Sequence, residues 1–195
     1  MIDSKKIDHE DYNAMSQGSI SIHTIGYGNR SLDRFVEILH FYNISWLIDV
    51  RSQPWSRRSE FHRESLEKSI PAAGFGYLFL GHQLGGKTEN PRLLDDSGKS
   101  DYELISLTEP FQDGLDRLRT AHREGHRIAL MCAELEAATC HRSQLIGNAL
   151  EQESIPVGHI GTNPEICLSQ HQLQKLEEAT PEDPSDSTPL FPDLS

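Results

Sequence analysis

RIALMCAELEAATCHRSQLIGN, residues 127–148, decides how this chain is read. Its opening Ile128–Met131 is a short, continuous apolar run, the pattern of a parallel strand buried on both faces. After Arg142, Leu145, Ile146, Ala149 and Leu150 recur at helical spacing, which predicts a helix starting near Thr139 or Cys140. Thr139 fits the N-cap, where a hydroxyl accepts from an orphan backbone N–H. Cys132 therefore ends a strand, and Cys140, His141 and Arg142 open a helix. Such a helix end favours anions and lowers a thiol's pKa.

Upstream, apolar strand patterns alternate with helical ones. Residues 20–25 alternate apolar and polar into Gly26-Tyr27-Gly28-Asn29-Arg30. Ser31 caps a helix whose Leu32, Phe35, Val36, Ile38 and Leu39 share a face. Residues 45–50 (SWLIDV) form a second strand, followed by a loop with Pro54, Trp55 and Arg57-Arg58. A helix over 64–73 stops at Gly74, and 77–80 (YLFL) form a third strand ending at the Gly81–Gly86 turn. The polar stretch 87–105 reads as a long loop over a site, and 107–123 as an amphipathic helix. Residues 156–160 (PVGHI) form a weak fifth strand, and 170–178 a short acidic helix.

Alternating strands and helices predict an α/β fold. It is a single doubly wound, mostly parallel sheet of about five strands with helices on both faces. The domain spans 19–179, between a flexible arm over 1–18 and a disordered acidic, proline-rich tail over 180–195. Ligands of such sheets bind outside the carboxyl ends of the strands, near a switch in strand order. Four strands here end in chemically loaded loops: 26–30, 49–58, 81–86 and 132–142. They gather on one rim.

Composition narrows the class. Of the net charge of −12, residues 171–195 carry six acidic groups and one lysine, and residues 1–17 four acidic and two basic, which leaves −5 for the rest. That remainder neither demands nor excludes an anionic partner, while the overall acidity argues against a general DNA-coating protein, which needs a basic face. Three cysteines are too few for a secreted disulfide framework, and no apolar run reaches the length of a membrane span. The expectation is a soluble, cytoplasmic protein with no membrane partner.

Several stretches are familiar together. Thr24-Ile25-Gly26-Tyr27-Gly28-Asn29-Arg30-Ser31-Leu32 comes first, then Leu47-Ile48-Asp49-Val50-Arg51-Ser52 with Pro54 and Arg57-Arg58. Leu84-Gly85-Gly86 follows, and Cys132-Ala133-Glu134 with Cys140-His141-Arg142 closes the set. Over roughly residues 21–160, in this order, they resemble domain-of-unknown-function family 488. Tyr27-Gly28 stands where that family often has His-Ser, and Glu136-Ala137 where it has Asp-Pro. The resemblance supports the domain limits and the choice of polar positions, and implies no reaction.

The chemical reading comes from the rim. A strand-terminal thiolate facing an arginine on the next helix resembles the layout of cysteine phosphatases and sulfurtransferases, although nine residues separate Cys132 from Arg142 where those families use about five. Cys132 or Cys140 is the candidate nucleophile, with Glu134 or His141 moving a proton. Asn29, Arg30, Asp49, Arg51, Arg57, Arg58 and Arg142 are the candidate substrate-binding groups, because guanidinium forks suit phosphate and carboxylate. Trp55, Phe61 and Tyr77 could stack on a base. The expected function is a cysteine-dependent enzyme acting on a small anionic substrate, phosphate-bearing and of nucleotide or nucleic-acid type. The alternatives are a binding or sensor module using the same arginines, and a zinc-stabilised structural protein. Against zinc stands the spacing C-x7-C-H, since adjacent Cys140 and His141 on a helix point about 100° apart. No cofactor and no metal ligand is assigned. Gly26-Tyr27-Gly28 lacks the third glycine of a dinucleotide fingerprint, Gly85-Gly86 reads as a permissive loop, and Cys167 lies outside the motifs.

Overall fold

The computed structural model describes residues 20–163 and 167–169. The expected arm over 1–18, helix over 170–178 and tail over 180–195 lie outside them. Five parallel strands run through the chain: β1 (Ile22–Gly26), β2 (Trp46–Asp49), β3 (Gly76–Phe79), β4 (Ile128–Cys132) and β5 (Val157–Ile160). A short β6 (Cys167–Ser169) pairs antiparallel with β5, and the sheet order is β3-β2-β4-β1-β5-β6. The sequence reading missed β6, because three residues are too few to show a period.

The helices are α1 (Leu32–Phe41), α2 (Arg63–Ala72), α3 (Gly81–Leu84), α4 (Tyr102–Ser106), α5 (Glu109–Arg123) and α6 (Asn148–Gln152). Ser31 caps α1 as its sequence suggests, its hydroxyl accepting from the Arg34 N–H at 3.2 Å. Gly74 takes φ +93° after α2, a backbone region open to glycine at no steric cost. Thr108 caps α5 in the same way as Ser31 caps α1. The stretch 87–105 is shorter as a loop than expected, since Asp101 caps α4 within it.

Side chains alternate across the sheet, and this splits the core in two. Ile25, Leu47, Ala129 and Met131 face α1 and α2, where they meet Phe35, Leu39, Leu66 and Ile70. Ile22, Ile48, Ile128 and Leu130 face the other way, onto Phe111, Leu115 and Leu118 of α5 and onto Leu145, Ile146 and Leu150. Each such buried aliphatic or aromatic side chain is worth about 1.5–3 kcal/mol. No helix among the described residues is long and apolar enough to cross a membrane.

The order also locates the crevice. From β1 the chain moves two places toward β2 and then on to β3, whereas from β3 it returns to β4 and crosses β1 to β5. Neighbouring β1 and β4 therefore send their following connections to opposite sides. The switch point opens at their carboxyl ends, beside Gly26 and Cys132, which are register partners.

Candidate functional site

Beyond the regular strands the ladder continues for a few residues. Tyr27 N–H donates to Cys132 O (3.1 Å), Gly28 N–H to Ala133 O (3.0 Å) and Val50 N–H to Met131 O (3.2 Å). This ties the loop after β4 to those after β1 and β2. The approach is close: a Cβ on Gly26 would lie 1.8 Å from Glu134 O and 2.7 Å from an Arg142 nitrogen. Only a residue without a side chain fits there.

Cys132 ends β4 at 6% exposure. The chain then loops through 133–139 and enters a π-helical segment, Arg142–Gly147, that runs on into α6. The expected helix start is thus displaced by about one residue, and Thr139 is exposed and does not cap it. Cys140 lies just before the helix, its carbonyl accepting from the N–H groups of Ser143 (2.9 Å) and Gln144 (3.0 Å). In that position its side chain converges on the imidazole of His141.

Three groups meet at this point. The His141 Nδ1 lies 3.6 Å from Cys140 Sγ and 3.9 Å from Cys132 Sγ. All three atoms fall within 4.8 Å of one another. His141 Nε2 lies 3.0 Å from Val50 O, and a carbonyl only accepts, so Nε2 donates to it and Nδ1 is the ring nitrogen that faces the sulfurs. The S–H of Cys140, then His141 and the Glu134 backbone N–H, hold Cys132 well below the usual thiol range against the opposing push of burial. Cys140 is pushed up by its bond to Cys132 and by burial. Tyr102 of α4 is half-buried nearby, and burial together with the two cysteines raises its phenol. Gly86 seats the imidazole: a Cβ there would lie 2.4 Å from His141 Cβ. The pair Gly85-Gly86 is therefore fixed by packing rather than by a left-handed backbone, since a Cβ on Gly85 would lie 2.3 Å from Ser52 Oγ.

Of the rim arginines, Arg30, Arg51, Arg58 and Arg142 bond groups within the fold. Arg142 is fully buried (0% exposed), and its fork donates to Glu134 O (2.6 Å) and Leu135 O (2.8 Å). Arg51 clamps Asp49 through Nε (2.8 Å) and a terminal nitrogen (2.6 Å), and donates to Phe61 O (2.9 Å). Arg30 ties Gly26 O to Gly161 O and Thr162 O. Arg58 bonds Glu60 and the Arg30 carbonyl. These guanidiniums satisfy carbonyls at strand ends and in loops, groups that would otherwise be orphaned. Arg57 and Asn29 are exposed.

A cavity of about 390 Å³ lies over the cysteines. Of the residues singled out from the sequence, Arg51, Cys132, Glu134, Cys140 and His141 line it, as does Trp55. Asn29, Arg30, Asp49, Arg57, Arg58 and Arg142 do not. Ser52, Gln53, Lys87 and Tyr102 line it too, although the sequence reading did not select them. Lys87 was within reach of that reading, being the first cation after the Gly85-Gly86 strand-end turn. A separate groove of about 400 Å³, lined by Trp46, Leu118 and Ala121 among others, holds none of the cysteines.

Comparison with known proteins gives one match. The model of the family described as Domain of unknown function DUF488 matches residues 31–148. No curated protein and no solved structure matches the chain.

Proposed function

The chain belongs to DUF488, a family whose description names no reaction, and we propose from the site that it is a cysteine-dependent enzyme acting on a small anionic substrate. The observation that carries this is the meeting of Cys132, Cys140 and Nδ1 of His141 under a cavity of about 390 Å³. Cys132 is the nucleophile, with Cys140 donating to it and His141 oriented by Val50 O. Its sulfur attacks an electrophilic phosphorus or carbonyl centre. A bond from Sγ forms as the bond to the leaving group breaks, and the leaving group takes a proton from solvent water. Glu134 then takes a proton from a second water as that water attacks the Cys132 adduct and frees the thiolate, and the proton passes on to the hydroxide left in solvent.

Lys87, exposed at the cavity wall, supports an anionic substrate, its backbone N–H held by Ser52 Oγ at 2.9 Å. Trp55 is 67% exposed and offers a flat apolar face at the same cavity, which suits a nucleotide base. The substrate is a small molecule rather than a nucleic-acid strand, because Arg30, Arg51, Arg58 and Arg142 already have partners within the fold. A thiolate of this kind belongs in a reducing compartment such as the cytoplasm.

Substrate-like anions test the reading. On the reduced, metal-free chain, orthophosphate and a nucleoside monophosphate each slow alkylation of Cys132. Lys87→Ala weakens that protection by roughly 10-fold, the loss of one charge-assisted hydrogen bond. Labelling unaffected by either anion at saturating concentration contradicts an anion site over Cys132.

A further inference from the structure

We propose that Cys132, Cys140 and His141 form a three-ligand site for one zinc ion, with the fourth coordination position open to the cavity. The inference goes beyond the enzyme reading and uses the same atoms, since a bound ion occupies the thiolate that would otherwise attack substrate. It makes the metal a reversible mask on the nucleophile.

Four observations carry it. A tetrahedral zinc ion with bonds of about 2.3 Å to sulfur and about 2.0–2.1 Å to nitrogen requires ligand atoms roughly 3.5–3.8 Å apart. The separations of 3.6 Å and 3.9 Å from His141 Nδ1 to the two sulfurs lie within a few tenths of an ångström of those edges. The imidazole is oriented as a ligand requires: Nε2–H is anchored on Val50 O, the usual outer partner of a metal-bound histidine, and Nδ1 is presented to the sulfurs as the ligand atom.

The objection from sequence spacing does not hold here. Adjacent residues splay by about 100° only when both are inside a regular helix. Cys140 precedes the helix, and the turn that bonds its carbonyl to Ser143 and Gln144 brings its sulfur alongside His141. Finally, all three ligand residues are buried, and no fourth histidine, cysteine or carboxylate joins the group among the described residues. The cavity that all three line gives access for water or substrate at the remaining position. Two thiolates and an imidazole select zinc over magnesium or calcium.

The test uses the full chain, reduced and stripped with a chelator, then titrated with zinc against a chromophoric competitor. The expected result is one equivalent per chain. Cys132→Ser, Cys140→Ser and His141→Ala should each weaken binding on the order of 100-fold or more, and Cys167→Ser should leave it unchanged. Cobalt in place of zinc should give thiolate charge-transfer absorption and the intense visible bands of a tetrahedral ion. Melting each variant in chelator separates lost ligation from lost folding. Absence of stoichiometric uptake, or uptake that survives the single ligand substitutions in folded protein, overturns the proposal. Zinc should also block alkylation of Cys132, and chelator should restore it. Rapid Cys132 labelling with no zinc uptake removes the metal site and leaves the nucleophile. Zinc uptake by a chain whose metal-free Cys132 is inert removes the nucleophile and leaves the metal site.

Discussion

Asp49→Ala should destabilise the protein by about 3–5 kcal/mol, read as a lowered urea midpoint. The carboxylate sits at the end of β2 with no solvent exposure, beside a guanidinium that is 4% exposed. Its Oδ1 accepts from the Arg51 backbone N–H (3.1 Å) and Nε (2.8 Å), and Oδ2 from an Arg51 terminal nitrogen (2.6 Å) and Tyr77 OH (2.9 Å). Truncation leaves Arg51 charged, buried and without its counter-ion, and leaves the Tyr77 hydroxyl without its acceptor. The orphaned charge is the main cost. Removing both partners in Asp49→Leu/Arg51→Met should therefore cost less than the single substitution. The effect reaches the site, because Val50 lies between the two and its carbonyl orients His141. A loss under about 1 kcal/mol would contradict the buried pair.

Acidification should destabilise the fold through His23. This histidine lies on β1 with no solvent exposure, its ring 5.3 Å from that of Tyr42. Burial, then Arg127 and His159, lower its pKa from 6.5 to about 3. The neutral form is the folded one. Between pH 6.5 and about 3 the unfolded chain binds a proton here that the folded chain does not, so stability falls as pH falls through that window. At 1.36 kcal/mol per unit, the loss is about 3 kcal/mol by pH 4, a large share of the 5–15 kcal/mol typical of a domain. Urea midpoints between pH 7 and 4 measure it. His23→Gln should flatten the slope by close to one proton, and an unchanged slope would rule out His23 as the origin.

The doubly wound sheet was legible because β4 is an unbroken apolar run and each helix carries one apolar stripe. The rim was legible for a related reason, since parallel strands necessarily send their carboxyl ends the same way. Side-chain direction was not. Arg30, Arg51 and Arg142 have the composition of an anion site, and the structure turns all three onto carbonyls or Asp49. A sequence does not show how many loop carbonyls a switch point leaves without donors. Lys87 was legible as the first cation after the Gly85-Gly86 strand-end turn, and it lines the cavity beside His141. The convergence of Cys140 with His141 was hidden by an irregularity: the segment after His141 winds as a π-helix, a form found often at functional sites, and Cys140 stands outside it.

The central claim is that Cys132 is held as a thiolate at the cavity floor, and alkylation of the native, metal-free chain tests it most directly. Peptide mass spectrometry reads each cysteine separately between pH 8 and pH 5. The account predicts a Cys132 rate that stays nearly flat, while a free thiol such as N-acetylcysteine in the same solution slows about 10-fold per unit. Cys140 should label only on unfolding. A Cys132 rate that falls in step with the free thiol, or labelling of Cys132 only in denaturant, would contradict it.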